Sequence, residues 1–175
     1  EQFTVLIVGG GYVGNEKLRA VLGNSPRTRI RLVAPAISDE IRQFSQSYQV
    51  EFFQRPYEPA DINQADIIIA ALNDPAVSEQ VYLDAKKAGK WVNVADKPDL
   101  CDFYLSSIVQ KGNIKIAIST NGKSPTVAKR LKEVIGQMIP DEMEQVLHNL
   151  QHIRKNIQGD FTEKVKRLNL ITADL

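Results

Sequence analysis

The sequence predicts an α/β fold: a doubly wound, Rossmann-like parallel sheet, followed by a small α+β segment and C-terminal helices. Three observations predict it. Short β-branched runs alternate with amphipathic stretches from Thr4 to Ala95, the pattern of parallel strands joined by crossover helices. Three consecutive glycines open Gly9-Gly-Gly-Tyr-Val-Gly14, between the first run and the first amphipathic stretch. After Asp96 the alternation stops, and two strand-like runs flank Lys111-Gly112-Asn113, which is hairpin chemistry.

The elements follow in order. Thr4-Val-Leu-Ile-Val8 is apolar throughout, as a strand buried on both faces must be. A helix is expected over about Val13–Leu22, with Leu18, Val21 and Leu22 toward the sheet. Ile30–Val33 reads as the second strand, ended by Ala34-Pro35. Ser38-Asp39-Glu40 then opens a short helix through about Ser47. Val50–Phe53 reads as the third strand, and Ala65–Ala71, the most apolar run, as a central one. Pro75 sits where a helix starts, and Val77, Val81, Leu83 and Ala88 carry it to Gly89 as C-cap. Trp91–Ala95 is the fifth strand, with Trp91 expected in the core.

Phe103–Val109 and Ile114–Ser119 are the expected hairpin strands. Ser124-Pro125 starts a helix to about Met138, since Ser caps well and Pro is tolerated at the first position. Pro140 breaks it. Met143, Val146, Leu147, Leu150, Ile153 and Ile157 recur at helical spacing up to Gly159. Asp160 with Glu163 caps a last helix through Leu170. The expected organisation is a nucleotide-binding domain over 1–96, a hairpin-plus-helix segment over 97–139 and a helical region over 140–175.

Composition excludes several classes. With 175 residues, 43% hydrophobic and 25% charged, the chain is globular, not disordered. It carries 22 basic and 21 acidic residues, a net of +1, which argues against a nucleic-acid partner. A single cysteine allows no intramolecular disulfide and no thiolate zinc or iron–sulfur site. A reducing, cytoplasmic setting is expected. There is no run of the roughly 18–20 apolar residues a membrane span needs and no signal-peptide pattern, so no membrane partner is expected. A natural chain is expected to carry a few residues before Glu1.

Gly9, Gly10, Gly11, Tyr12, Val13 and Gly14 form the candidate dinucleotide loop. Glycines let the backbone turn tightly and approach a pyrophosphate, and the helix start supplies free N–H groups. The motif alone is weak; here it follows a strand and opens a helix, as required. The usual ribose-binding acid at the end of the second strand is missing: Val33-Ala34-Pro35-Ala36 stands there, and Asp39 and Glu40 come late. Arg42 is the nearest basic residue. The cofactor expected is NAD rather than NADP, with its ribose held in a non-standard way.

Asp96 follows the fifth strand directly, so it shares the carboxyl edge of the sheet with the glycine loop. A carboxylate there suits a general base if partial burial raises its pKa; the alternative is a cap for the turn before Lys97-Pro98. From Phe103 to Lys132 there are six basic residues and no acidic ones. Ser119-Thr-Asn-Gly-Lys-Ser124 precedes a helix start there, which is either an anion site or a solvated basic face with a good cap. His148 and His152, four apart on a helix, make a poor metal site without a third ligand, and no resident metal is expected. Cys101 reads as a small buried thiol.

Together, Gly9-Gly-Gly-Tyr-Val-Gly14 with Lys17, the Val33-Ala34-Pro35 strand end, Asn93-Val-Ala-Asp-Lys-Pro-Asp-Leu-Cys-Asp-Phe103 and Ile116-Ala-Ile-Ser-Thr-Asn-Gly-Lys-Ser-Pro-Thr-Val-Ala-Lys129 resemble the precorrin-2 dehydrogenase/sirohydrochlorin ferrochelatase family, the N-terminal module of siroheme synthase. The resemblance covers nearly the whole chain. It implies NAD-dependent oxidation of precorrin-2 to sirohydrochlorin, and for many members insertion of Fe2+ to give siroheme. It implies a homodimer in which the segment after the nucleotide domain intertwines with its partner. It places Asp96 as the catalytic aspartate, and Tyr12, Val13, Pro35 and Ala36 at the NAD contacts, with Asn73 in the segment after the fourth strand. Ser119, Thr120, Asn121, Gly122, Lys123 and Ser124 fall beside the tetrapyrrole pocket, with Thr120 where some members have a phosphorylatable serine.

An octacarboxylate substrate fits the basic helix start. Residues 1–96 carry 10 basic and 12 acidic side chains, whereas residues 97–175 carry 12 and 9. There are departures from the family pattern. Gly14 stands where alanine is usual, a change expected to be harmless. Leu72-Asn73-Asp74 replaces Thr-Asp-Asp, Ser106-Ser107 replaces Pro-Ala, and Asn121 replaces Gly. With no methyltransferase segment, the chain resembles the stand-alone form. Two other readings stay open: a non-catalytic NAD- or tetrapyrrole-sensing module, and a Rossmann ligand-sensing subunit of a transporter, which leaves the 93–103 and 116–129 blocks unexplained.

Overall fold

Five parallel strands form the sheet, in the order β3-β2-β1-β4-β5: β1 (Thr4–Val8), β2 (Arg29–Val33), β3 (Val50–Phe53), β4 (Ile67–Ala70) and β5 (Trp91–Val94). The helices between them are α1 (Tyr12–Asn24), α2 (Asp39–Ser45) and α3 (Pro75–Lys87). The computed structural model describes residues 3–173. It divides into two units, one ending at Leu105 and the other beginning at Ser106.

β1 shows why the sheet is buried on both faces. Its side chains alternate, so Val5 and Ile7 join Leu18, Leu22, Ile30, Leu32 and Ile41 on the α1–α2 side, while Leu6 and Val8 join Ile62, Ile68, Val81, Ala85 and Val92 on the α3 side. Strand order reverses at β1, which pairs with β2 on one side and β4 on the other. That switch opens a crevice at the carboxyl ends of β1 and β4.

The second unit pairs β6 (Ser107–Lys111) with β7 (Ile114–Ile118) as an antiparallel hairpin. It continues with α4 (Pro125–Met138), α5 (Met143–Asn156) and α6 (Phe161–Ile171). The hairpin turn is fastened to α5: Glu144 accepts hydrogen bonds from Asn113 N and Nδ2, at 2.8 and 2.6 Å. Lys111 Nζ donates to Asp141 at 2.8 Å and to the Ile139 carbonyl. The Asp160 side chain caps α6 through Glu163 N, at 2.9 Å.

Several expectations are corrected. The first hairpin strand begins at Ser107, not Phe103. Residues 97–105 belong to the first unit instead, where Asn93 Nδ2 donates to Phe103 O and Asp102 N donates to Val92 O, both at 2.8 Å. This segment seals the outer edge of β5. The Ala65–Ala71 run is an interior strand, β4, paired with β1 and β5 on its two sides, and β1 lies at the middle of the sheet. Trp91, expected in the core, is 61% exposed. Trp91 opens an edge strand beyond the end of the core, and α3 directs Ser78, Val81 and Ala85 inward. A 3-10 turn, Pro59–Gln64, precedes β4 with Asp61 buried beneath it; the sequence reading had no element there.

Candidate dinucleotide and catalytic site

The glycine loop is built by close backbone approaches. Gly9 lies at φ +125°, where side chains are disfavoured. A Cβ there would lie 2.1 Å from Ala71 O, just past β4. A Cβ on Gly10 would lie 2.2 Å from Ala36 O and 2.9 Å from Ala34 Cβ. Ser38 N donates to Gly10 O at 2.9 Å, which folds the β2–α2 loop onto the glycines. Gly11 is different. It is the N-cap of α1, and a Cβ added to it meets nothing within 4 Å. Gly9 and Gly10 make the turn, while Gly11 leaves open the space at the helix start, with Tyr12 84% exposed beside it. That cradle fits a dinucleotide pyrophosphate.

Gly14 is accommodated because it has no side chain. A Cβ at this position would lie 2.2 Å from Gly9 O, so alanine is not harmless in this backbone. The first turn of α1 is packed directly on the strand end, which is the third glycine's function in the motif.

Pro35 and Ala36 are exposed after β2, and Asn73 is exposed before α3. Asp74 is the N-cap of α3, accepting from Ala76 N and Val77 N at 2.9 and 3.2 Å. At the β2 end the acids Asp39 and Glu40 occupy the first turn of α2, capped by Ser38. Hydrogen bonds from the backbone and Ser38 hold the Glu40 carboxyl below its ordinary pKa. Arg42 donates to Gln54 at 2.8 Å.

Asp96 sits at the end of β5 in the left-handed region, at φ +59°. It is exposed, and its carboxylate takes no hydrogen bond or ion pair among the described residues. The expected partial burial is therefore not present in this chain. What holds the aspartate is its frame. Ala95 N donates to Ala70 O at 2.9 Å, and Lys97 Nζ donates to Pro75 O at 3.3 Å. Cys101 Sγ accepts from Val94 N at 3.3 Å and lies 3.2 and 3.3 Å from the carbonyls of Val94 and Lys97. Asn93 Nδ2 donates to the same sulfur at 3.4 Å.

Cys101 is thus half-buried rather than fully buried. Burial, the largest influence, pushes its thiol pKa up, which keeps it protonated and able to donate. Sequence reasoning missed this clamp, as it missed Lys97. Their only signal is that both lie in the same short loop as Asp96.

The first unit therefore brings the glycine loop, Pro35–Ala36, Asn73 and Asp96 to one edge of one sheet. The 119–124 segment belongs to the second unit and forms a tight turn. Thr120 Oγ1 accepts from Ser124 N at 3.1 Å and donates to Ser124 O at 3.0 Å. Asn121 N donates to Ser119 Oγ at 3.1 Å. Asn121 adopts φ +50° and Gly122 φ +75°, a left-handed region that glycine and asparagine tolerate. Ser124 Oγ caps α4 through Val127 N at 3.3 Å, and Lys123 is exposed beside it.

Residues 1–107 match a family described as "Putative NAD(P)-binding", and residues 111–138 match one described as "Sirohaem biosynthesis protein central". The chain belongs to the putative NAD(P)-binding family, and its 111–138 segment is similar to the central segment of sirohaem-biosynthesis proteins. The siroheme synthase of Nitrosomonas europaea is 33% identical over 168 residues, 95% of this chain and 35% of that protein. The siroheme synthase of Psychrobacter arcticus is 34% identical over 168 residues, 96% of this chain and 30% of that protein. The chain spans about a third of the length of these curated relatives. A solved structure titled "SirC, precorrin-2 dehydrogenase" superimposes with a TM-score of 0.77 at 26% identity, covering 99% of this chain and 86% of that one. No helix among the described residues is long and apolar enough to cross a membrane.

Proposed function

We propose that this chain oxidises precorrin-2 to sirohydrochlorin with NAD, in a reducing, cytoplasmic setting. The supporting observation is the combination of a built dinucleotide cradle with a near full-length match to a precorrin-2 dehydrogenase. Gly9, Gly10 and Gly14 shape the turn, and Gly11, Tyr12 and Val13 present free N–H groups at the α1 start. Pro35, Ala36 and Asn73 border the remainder of the cofactor. NAD, when bound, accepts a hydride from the substrate. Asp96 takes the proton released with it, so precorrin-2 and NAD+ give sirohydrochlorin, NADH and a proton. An exposed, unpaired carboxylate is open to a macrocycle too large for an enclosed pocket. Ser119–Ser124, with Lys123 and the α4 N–H groups, would take substrate carboxylates.

Fe2+ insertion is the second activity proposed. The same carboxylate would remove pyrrole N–H protons, and Fe2+ is a substrate here, since the macrocycle supplies the nitrogens.

A homodimer is part of this reading. Among described residues, the second unit fully buries only Val109 and Ala128 of its apolar side chains. Val127, Leu131, Val134 and Met138 leave an exposed apolar stripe along α4. A patch of that kind marks an interaction face.

The test is to mix precorrin-2, NAD+ and the protein and follow NADH formation together with the sirohydrochlorin spectrum. Turnover that Asp96→Asn abolishes, with NAD binding intact, is the expected result. NAD binding without turnover by the unaltered chain would leave a sensing module instead. Sirohydrochlorin with Fe2+ or Co2+ tests chelation separately.

A further inference from the structure

We propose that His148 and His152 on α5 form a solvent-open site for a divalent transition-metal ion. They are the only histidines in the chain. Both are exposed, and neither makes a hydrogen bond or ion pair among the described residues. Their ring centroids lie 5.4 Å apart with the planes tilted by 55°, so the two rings are neighbours on one face of the helix and are not stacked. A zinc–imidazole bond of about 2.1 Å puts a ring centroid about 3.2 Å from the metal, so two rings at a tetrahedral angle have centroids about 5 Å apart. The observed separation is close to that value before any ion arrives.

The i, i+4 spacing also means that the helix, already formed, supplies the preorganisation. α5 runs from Met143 to Asn156, so both histidines lie well inside it. Imidazole suits zinc, copper, nickel and cobalt ions. Two protein ligands leave the remaining coordination positions to water. Glu144, one turn before His148, is held by Asn113 and does not complete the set. Arg167 lines the open cleft beside His152, together with Asn156 and Gln158, and its charge opposes a second cation nearby. A two-ligand site beside an arginine is a weak, exchangeable one. It holds an ion and releases it, unlike a closed structural site. A use in presenting the ion for insertion into a macrocycle rests on the proposed chelation; the binding itself does not.

The experiment uses the full, untagged chain titrated with Zn2+ and with Co2+, and follows the imidazole proton signals by NMR. Because only two histidines exist, every imidazole signal belongs to the pair. Expected are joint shifts (Zn2+) or joint broadening (Co2+) of both rings at one ion per chain. His148→Ala and His152→Ala should each raise the concentration needed to perturb the remaining ring by more than about tenfold, since loss of an outer-sphere partner alone costs about 10–100-fold. Alanine on an exposed helix face favours the helix, so both variants retain the fold. If each single variant titrates its remaining ring at the concentration seen in the unaltered chain, the two histidines act independently and the site is refuted. No response of either ring to either metal refutes it as well. NADH formation by His148→Ala should equal that of the unaltered chain, so a failure of the dehydrogenase reading and a failure of this site give different results.

Discussion

The glycine loop makes a prediction in which two neighbouring, chemically identical substitutions do opposite things. Gly9→Ala should act on stability. The left-handed half of the backbone map, φ +125° here, costs an alanine about 1–3 kcal/mol. Its Cβ would also lie 2.1 Å from the Ala71 carbonyl oxygen, and backbone overpacking adds about 1–3 kcal/mol. The sum, about 2–6 kcal/mol, is a large part of the roughly 5–15 kcal/mol that holds a domain together. With a urea slope near 2 kcal/mol per molar, the unfolding midpoint falls by about 1–3 M.

Gly11→Ala should act on binding. Gly11 sits at φ −93°, ψ −158°, a region any residue adopts, and its added Cβ meets nothing within 4 Å. Alanine for glycine at an N-cap costs less than about 1 kcal/mol. The methyl group instead occupies the space at the helix start where the proposed pyrophosphate would approach. NAD affinity should fall by about tenfold or more, equivalent to about 1.4 kcal/mol. Urea unfolding without cofactor and calorimetric titration with NAD+ separate the two effects. A Gly11→Ala variant that binds NAD+ as tightly as the unaltered chain, or a Gly9→Ala variant with an unchanged midpoint, would refute the assignment of roles within the loop.

Three further outcomes are expected. Asp96→Gly relieves the φ +59° strain of a non-glycine residue, so it should leave the protein between about 0 and 1 kcal/mol more stable while abolishing dehydrogenase turnover; a stable and active variant would remove Asp96 from the reaction. Burial pushes the Asp61 carboxyl up, but hydrogen bonds from Arg55 and Glu58 N, with the charges of Arg55 and Arg31, bring it below its ordinary value. The Arg55 contacts are 2.6 and 2.9 Å. A depressed carboxylate stabilises the fold above its unfolded pKa of about 4 and loses that contribution as pH falls through its lower folded value. Urea midpoints should therefore decline below about pH 4 in the unaltered chain and decline less in Asp61→Asn. For the homodimer proposed above, Leu131→Asp on the exposed α4 stripe should leave the chain folded but raise the dissociation constant about 100-fold, since a two-fold interface counts a tenfold loss twice; sedimentation velocity reads it directly, and an unaltered chain that stays monomeric refutes the dimer.

The sheet was legible because its physics is local and redundant. Thr4–Val8 is apolar at every position, and only a strand covered on both faces requires that. The alternation with Leu18, Leu22 and Val81 then assigns the two covers. Helix starts were legible for the same reason: Ser124, Asp160 and Pro75 are chemically suited to one position each. The errors are where a long-range partner overrides local composition. Phe103–Ser106 has strand-like residues, but the Asn93 amide takes the Phe103 carbonyl and the segment becomes a seal on β5. Trp91 has core chemistry, but its strand is at the edge and its first residue lies past the core. Nothing near Gly14 in sequence shows that Gly9 O will lie against it.

The carboxyl edge shows the limit most clearly. That Asp96 follows the fifth strand, and so faces the glycine loop's edge, is readable from chain order alone. Its backbone conformation is not, because positive φ at a non-glycine residue depends on what clamps it. Here the clamps are Cys101 Sγ on the Val94 amide, the Lys97 ammonium on the Pro75 carbonyl and Ala95 N on Ala70 O. These contacts span three elements and hold a residue in a conformation that glycine would adopt at lower cost. A strained position that buries nothing and pairs with nothing does not stabilise the fold through its side chain. Strain of this kind persists where surrounding structure enforces it, and it concentrates at reactive sites. On the proposed reading, the physical reason for a carboxylate at 96 is its exposure on the sheet edge that carries the glycine loop, held by a frame whose other members are all engaged.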